Sequence, residues 1–331
     1  MSNGSLRRPT ARVFLPLVCA GVCAVVAAVT SSAATPDFQP TSVAFLDREH
    51  GVLAREDWSC RKERGCAAQI LVSSDGGNKW RVTHRTTMPV RLYSIRGTRQ
   101  VWASTGKDVL ESRDGGLSWR RGLPYPAAAI AFADSSHGWL LPAGSMFDRP
   151  KPLLETGSGG ANWRRIGDPC RRQWALTVAL SRPTPREGWI ACVSQASTGF
   201  QGKEVWSTGD GGKTWQLRAR TKFPGLPGAA RFPEKGNLPG FGYVTGIDFL
   251  PNGHGWLWEG RGWLLTTHDA GTSWRRSSIT KADVLAAQSA SLVSDRLGYV
   301  LLRGCNARLV RTTDGGVRWK TVERWGSPTR C

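Results

Sequence analysis

The sequence predicts an all-β fold, a six-bladed β-propeller in which each blade is a four-stranded antiparallel sheet. Three observations lead to this prediction. A string of the form Ser/Thr-x-Asp-Gly-Gly-x-x-Trp occurs six times, and a looser apolar string precedes each copy. No segment between the copies is long or periodic enough for a substantial helix. Repeats of this length, each holding four short strands, are the sequence signature of a propeller.

The first repeat, called the box below, gives each blade its third and fourth strands. Corresponding positions in successive copies are 39–59 residues apart. The copies are SSDGGNKW at 73–80, SRDGGLSW at 112–119, TGSGGANW at 156–163, TGDGGKTW at 208–215, THDAGTSW at 267–274 and TTDGGVRW at 312–319. We expect the third strand to end at the turn and the fourth to start at the Trp.

The looser string supplies the first two strands. Each copy is an apolar run, a polar turn, then Gly with an aromatic or a second apolar run, which is the pattern of a β-hairpin. The copies lie at 42–54, 93–105, 129–141, 178–192, 246–258 and 290–302. A seven-bladed ring is the alternative, but it needs a unit without a box. The 216–245 stretch is long enough but has no Gly-aromatic hairpin, so we interpret it as a loop.

The chemistry of the box is structural. An Asp in a tight turn accepts backbone N–H bonds, paired Gly residues allow a positive φ, and the Trp packs its large apolar surface on the next hairpin. Ser158 replaces Asp in the third copy and Ala270 replaces Gly in the fifth, so those turns should be weaker. No copy places a second carboxylate at calcium-ligand spacing, so we predict no metal or cofactor. The predicted structural residues are Asp75, Asp114, Ser158, Asp210, Asp269, Asp314, Trp80, Trp119, Trp163, Trp215, Trp274 and Trp319.

These strings resemble the Asp-box, or BNR, repeats of sialidases, of sortilin-type receptors and of photosystem II assembly and stability factors. The resemblance covers about 42–320. The short single-domain architecture and the Gly-Trp hairpins are most similar to the photosystem II assembly factor type. That resemblance implies a non-catalytic propeller that binds a protein partner, and the sialidases give the enzymatic alternative.

The sialidase alternative can be examined residue by residue. That family uses three Arg, an acid/base Asp, a Tyr nucleophile activated by Glu, and an Arg-Ile-Pro string, which this sequence lacks. Among Tyr93, Tyr125, Tyr243 and Tyr299, Tyr243 is the best nucleophile candidate, and its nearest Glu in sequence is Glu234. No Gly-x-Ser-x-Gly or His-Glu-x-x-His string is present, and the five His are scattered. We therefore predict no catalytic residue and keep a sialidase-like glycoside hydrolase as the alternative.

The N-terminus has the pattern of an export signal. Arg7, Arg8 and Arg12 precede an unbroken apolar run at 13–29, and small polar residues follow up to Ala34. We expect 1–34 to be a cleaved signal peptide or an N-terminal membrane anchor, and 35–331 to be one domain. That domain would be secreted or held at the outer face of the cytoplasmic membrane. The formal net charge of the whole chain is +20, and without the three Arg it is +17.

The cysteines of the expected mature chain predict disulfides. They are Cys60, Cys66, Cys170, Cys192, Cys305 and Cys331. An even number in an exported protein is typical of disulfide pairing, and fifteen pairings are possible. All six map to the face that carries the strand 2–3 links and the blade-to-blade links. Sequential pairing, 60–66, 170–192 and 305–331, is therefore geometrically plausible.

The same face carries long basic links, which makes it the candidate docking surface. An acidic protein or an anionic envelope polymer would fit it; a merely solvated, Arg-rich surface is the alternative. Because the protein is expected outside the cytoplasm, we expect no nucleic-acid partner, and we expect a monomer whose membrane contact, if any, runs through 13–29. The candidate binding residues are Arg61, Lys62, Arg64, Arg171, Arg172, Trp174, Arg218, Arg220 and Lys222.

Overall fold

The computed structural model describes residues 37–60, 66–144, 151–170, 176–222, 234–260, 263–280, 286–303 and 306–326. In these ranges the regular secondary structure is β-strand, apart from one 3₁₀ turn at Ser278–Thr280. None of the described residues forms a helix long and apolar enough to span a bilayer. The expected signal segment at 1–34 lies outside the described residues.

The strands form six sheets, and each sheet uses consecutive segments of the chain. Blade 1 contains β1 (Phe38–Phe45), β2 (Gly51–Asp57), β3 (Ala68–Ser73) and β4 (Arg81–Thr86). Blade 2 contains β5 (Val90–Ser94), β6 (Val101–Thr105), β7 (Val109–Ser112) and β8 (Arg120–Leu123). Blade 3 contains β9 (Ala127–Phe132), β10 (Gly138–Pro142), β11 (Leu154–Thr156) and β12 (Arg164–Arg165).

The second half of the chain repeats this order. Blade 4 contains β13 (Leu176–Ser181), β14 (Gly188–Val193), β15 (Lys203–Thr208), β16 (Gln216–Thr221) and β17 (Asn237–Leu238). Blade 5 contains β18 (Val244–Phe249), β19 (Gly255–Glu259), β20 (Leu264–Thr267) and β21 (Arg275–Arg276). Blade 6 contains β22 (Ala286–Leu292), β23 (Gly298–Arg303), β24 (Ala307–Thr312) and β25 (Lys320–Trp325).

The six sheets close into a ring, which confirms the predicted propeller. Within each sheet the strands lie in sequence order, and the first four are antiparallel. The first strand of every blade is innermost and contacts the first strand of the next blade, and β22 contacts β1. The predicted hairpins and box turns therefore correspond to the four strands of each blade.

The interpretation of 216–245 as a loop is wrong at both of its ends and in a short internal segment. Gln216–Thr221 is the fourth strand of blade 4, and Asn237–Leu238 adds a fifth strand that runs parallel to it. The first strand of blade 5 already begins at Val244. The parallel pair forms because the chain returns along β16, a long-range contact that the local pattern does not encode.

Both hairpin turns of a blade lie on one face, called the turn face below. The amide of Gly76 in the first box donates to the carbonyl of Glu49 in the neighbouring hairpin at 2.8 Å. In the same box, Asp75 Oδ1 accepts the amides of Asn78 and Lys79 at 3.0 and 2.9 Å. The opposite face, called the link face, carries the strand 2–3 links and the blade-to-blade links.

The two substituted boxes keep the turn with altered chemistry. Ser158 Oγ accepts one amide, that of Asn162 at 3.0 Å. Ala270 has φ 58°, a left-handed conformation that is unfavourable for a residue with a Cβ. In an intact box, burial acts to raise the pKa of Asp114, but hydrogen bonds from Ser118 and Ser112 and from the backbone outweigh it and lower the pKa to about 2.

Serine hydroxyls bridge the inner strands of neighbouring blades, including the pair that closes the ring. The amides of Val43 and Phe45 in β1 donate to the hydroxyls of Ser289 and Ser291 in β22 at 3.1 and 2.9 Å. No strand is exchanged between blades 6 and 1 in the described ranges. The ring therefore closes through side-chain hydrogen bonds and apolar packing.

Two kinds of blade interface alternate around the ring. In blades 1, 3 and 5, a Phe ends the inner strand and stacks on an aromatic ring of the preceding blade. These stacks are Phe45 on Tyr299, Phe132 on Trp102 and Phe249 on Trp189, with centroid distances of 3.4, 5.1 and 4.3 Å.

Two of the other interfaces place a Trp of an odd blade on a Gly of the next blade. A Cβ on Gly188 would lie 2.2 Å from Trp139, and one on Gly298 would lie 2.1 Å from Trp256. The interface of blades 1 and 2 has neither residue: Val52 occupies the position of the Trp and Val101 that of the Gly, and both belong to one buried apolar cluster. The alternation has a period of two blades.

Candidate functional site

The inner strands enclose a central cavity of about 730 Å³ that all six blades line. Arg96, from the first hairpin turn of blade 2, crosses the channel at its turn-face end. Its Nη2 lies 3.1 Å from Asp248 Oδ1 of blade 5 and donates to the carbonyl of Leu292 of blade 6 at 2.8 Å. The channel is thus obstructed at the turn face, while Arg91, Tyr243 and Arg303 line it toward the link face.

The residues that the structure describes around the cavity do not provide the carboxylate pair of a glycoside hydrolase. Such enzymes use two carboxylic acid side chains about 5–9.5 Å apart. Asp248 is the sole carboxylate among the described residues that line the cavity, and it is bound to Arg96. The described lining therefore has a single, already paired carboxylate.

Tyr243, the candidate sialidase-type nucleophile, has a structural contact. Its hydroxyl accepts the amide of Gly199 at 3.1 Å. The carboxylate that the sheet brings nearest in register is Glu259, because Val244 pairs with Glu259 across β18 and β19. Glu259 is 0% exposed and binds Lys203 at 2.8 Å, so it is occupied by another partner.

The Lys203–Glu259 pair joins blades 4 and 5 and anchors the link between them. Lys203 Nζ also donates to the carbonyls of Pro239 and Phe241 at 2.6 and 2.7 Å. Burial lowers the pKa of Lys203 and raises that of Glu259, and the ion pair opposes both shifts. The buried ammonium therefore holds the chain at 239–241 in place on the link face.

This anchored segment presents an aromatic shelf, which consists of Phe200, Phe241 and Trp263. Phe200 and Phe241 are 51% and 42% exposed and meet edge to face at 6.3 Å between centroids. The Trp263 ring lies 5.8 Å from that of Phe241. The guanidinium of Arg276 lies over the Trp263 ring at 3.2 Å.

Two more arginine–aromatic contacts lie on the link face, near the ring closure. Arg303 lies 4.6 Å over the ring of Trp58, which is 44% exposed. Arg55 lies 4.9 Å over Phe38. Burial, together with the neighbouring charge of Arg85, lowers the pKa of Arg55. The link face thus combines exposed aromatic rings with guanidinium groups.

Two of the three sequential disulfides are present. Cys60 pairs with Cys66, and Cys170 pairs with Cys192. The third predicted pair contains Cys305 and Cys331, which lie outside the described residues. Disulfides form and persist in oxidising compartments, which agrees with a location outside the cytoplasm.

The structure describes three of the predicted binding residues. Arg61, Lys62, Arg64, Arg171, Arg172 and Trp174 lie outside the described residues. Arg218 and Arg220 lie on β16, where Arg218 Nε donates to Ser207 at 2.7 Å and Arg220 lies 3.3 Å from Glu204. Lys222 follows the strand and is half-buried. The interpretation of 216–245 as a loop placed these three residues on a free loop. The structure instead places Arg218 and Arg220 on a strand and Lys222 directly after it.

Sequence reasoning missed the arginines that stack on aromatic rings. Arg303 and Trp58 are 245 positions apart in the chain and meet because the ring closes. Arg276 and Trp263 lie in different strands or links of blade 5. A usable signal was the Trp in the REDWSC segment, which lies within a link already predicted to face this side.

No protein-family model matches the chain, and no curated protein matches it. Among solved structures, an α-L-arabinanase of Penicillium chrysogenum complexed with arabinobiose is 12% identical, with a TM-score of 0.53 over 86% of this chain and 92% of that chain. A GH93 α-L-arabinofuranosidase of Fusarium graminearum with arabinobiose is 13% identical, with a TM-score of 0.53 over 80% and 87%. A structure of YCF48 bound to a D1 peptide is 17% identical, with a TM-score of 0.47 over 86% and 82%. At these identities, the two arabinose-related enzymes show a shared fold and nothing about activity.

Proposed function

We propose that this protein is an exported, non-catalytic propeller that captures an acidic protein partner on its link face. The single observation that carries the proposal is the set of exposed arginine–aromatic contacts on that face, Arg303 on Trp58 and Arg276 on Trp263, together with the shelf around Phe241. Trp and Arg are the residues that most often dominate protein interfaces.

The electrostatics of the face favour an acidic partner. Arg91 and Arg303 stand at the link-face end of the channel, and Asp248 is held by Arg96 at the other end. The nearby carboxylates of Glu204 and Glu259 are buried and paired. A positive surface of this kind accelerates encounters with acidic partners and selects against basic ones.

Export is part of the proposal. The signal-like N-terminus and the two disulfides support it. We also interpret the boxes as BNR-type repeats with a structural role. The hydrolase alternative finds no support in the described cavity, where one carboxylate is present and is bound to Arg96.

Affinity capture from an envelope extract tests the proposal with a matched pair of variants. The link-face variant is Arg276→Glu/Arg303→Glu. The control is Lys213→Glu/Arg318→Glu, which changes the net charge equally on exposed turn-face residues. We expect the same captured proteins with the natural chain and the control, and loss of capture with the link-face variant. Equal capture by both variants would overturn the proposal, and N-terminal sequencing of the mature protein would settle the export segment.

A further inference from the structure

The fourth strand of each blade carries two basic residues. The set is Arg81 and Arg85 in β4, Arg120 and Arg121 in β8, Arg164 and Arg165 in β12, Arg218 and Arg220 in β16, Arg275 and Arg276 in β21, and Lys320 and Arg324 in β25. Glu323 is the sole acidic residue in these six strands. All of the cations except Arg218 are exposed. We call this set the rim.

The positive excess of the strands is concentrated on the rim. The remaining strands are nearly balanced, with the cations Arg55, Arg91, Lys203, Arg303, Arg308 and Arg311 against the acids Glu56, Asp57, Glu111, Glu155, Glu204, Asp248 and Glu259. The rim is therefore a distinct charged surface rather than a sample of a generally basic composition.

In blade 6, rim cations lie directly opposite cations of the neighbouring strand and repel them. In blade 6, Arg324 lies directly opposite Arg308, and Lys320 lies directly opposite Arg311. Like charges directly opposite each other destabilise an antiparallel sheet. An anion bound along the strand would remove this repulsion.

Half of the rim cations have no hydrogen-bond or ion-pair partner for their side chain among the described residues. Glu111 binds Arg120, Asp108 binds Arg121, Glu155 binds Arg164, and Glu204 binds Arg220. Within the described ranges, no hydrogen bond or ion pair engages the side chains of Arg81, Arg85, Arg165, Arg275, Lys320 and Arg324. These six are distributed over blades 1, 3, 5 and 6.

Charged residues on an outer strand can serve to prevent edge-to-edge pairing with another sheet. That role does not explain why the rim charges are almost all positive. Edge strands are protected by charged residues of either sign, by Pro or by a cover, and in blade 4 the strand β17 already lies beside β16. Eleven of the twelve rim cations are Arg. The planar guanidinium fork matches the oxygens of a phosphate group.

We propose that the rim binds a flexible, linear phosphate polymer that follows the ring from blade to blade. A flat bilayer would touch one or two blades of a convex rim at a time. Duplex DNA is too stiff to follow it, because its persistence length is about 50 nm. Apart from Arg218, Arg220 and Arg276, the rim shares no residue with the link-face surface, so this is a second binding function.

Binding of long-chain polyphosphate, measured by fluorescence anisotropy across a salt series, tests the proposal. The rim variant is Arg81→Gln/Arg275→Gln/Lys320→Gln. The control is Lys79→Gln/Lys213→Gln/Arg318→Gln, which removes the same charge from exposed box turns. Each contact adds about 0.7 to the slope of log affinity against log salt. The rim variant should therefore lower the slope by about 2 and the affinity on the order of 50-fold near 0.15 M salt.

A comparison of the two variants distinguishes binding at the rim from attraction by net charge. An equal loss in both variants would show that net charge alone binds the polymer, and this would overturn the proposal. So would absence of polyphosphate binding, or tighter binding to anionic vesicles or duplex DNA at the same phosphate concentration. Circular dichroism confirms that each variant is folded. The rim variant should leave link-face capture unchanged, so the two proposals fail independently.

Discussion

The buried Lys203–Glu259 pair gives the sharpest stability prediction. Their side chains are 1% and 0% exposed and meet at 2.8 Å, so neither charge can be rehydrated without opening blades 4 and 5. Glu259→Gln leaves the ammonium buried without a carboxylate. Removing one partner of such a pair costs about 3–5 kcal/mol. That is a large part of the roughly 5–15 kcal/mol that stabilises a typical domain.

Lys203→Met should cost more, because it also deprives the carbonyls of Pro239 and Phe241 of their donor. Each buried acceptor left without a partner costs about 1–3 kcal/mol. The double variant Lys203→Met/Glu259→Gln contains no buried charge, so it should be more stable than the sum of the single losses predicts.

Urea unfolding with intact disulfides measures these differences, and the double-mutant cycle isolates the coupling. Hydrogen exchange of the Gly240 and Phe241 amides should rise in the Lys203 variant, because the segment loses its anchor. The reasoning is refuted if Glu259→Gln costs less than about 1 kcal/mol, or if the two single losses add within about 0.5 kcal/mol.

Three further predictions concern pH, packing and ring closure. Burial, and then the stacked imidazole of His268, lower the pKa of His254 below its usual 6.5. The protonated form therefore favours unfolding, so stability should be full above pH 6.5 and fall below it by up to about 1.4 kcal/mol per pH unit. Gly298→Ala places a Cβ 2.1 Å from a Trp ring and should cost about 3 kcal/mol in urea unfolding. Ser289→Ala/Ser291→Ala removes the hydroxyls that accept two buried amides of β1 and should cost about 1–3 kcal/mol for each.

Each of these predictions has its own control. His254→Gln should flatten the slope between about pH 6.5 and 5, and an unchanged slope would assign it to other groups. Gly209→Ala has open space within 4 Å and should be nearly neutral, so a similar loss in both Gly variants would contradict the packing argument. For the serine variant, amide exchange should rise first in β1; uniform exchange would argue against a local role in closure.

The repeat pattern predicts the fold because its signals are local. An Asp, two Gly and a Trp within eight residues specify a turn and the strands on both sides of it. The spacing of hairpins and boxes then fixes which face each link occupies, and this led to the pairs Cys60–Cys66 and Cys170–Cys192.

The candidate site was less accessible to sequence reasoning because its contacts join distant segments. Lys203 and Glu259 face each other across two blades, and Arg303 reaches Trp58 only through closure of the ring. Strand β17 could not be predicted from the local pattern, because it forms by pairing with β16 after an intervening segment of the chain. The rim, in contrast, has a local sequence signal that was not used: a basic residue directly follows the Trp in five of the six boxes.

The alternation of blade interfaces has a consequence for how the molecule can be rearranged. A Phe of an odd blade stacks on an aromatic ring of the blade before it. In contrast, Gly188 and Gly298 of even blades leave the space that a Trp of the preceding odd blade fills. Neighbouring blades are therefore not equivalent building blocks. The interchangeable module is the pair, so transplanting two adjacent blades into the position of another pair preserves both kinds of contact, and moving a single blade by one position breaks both.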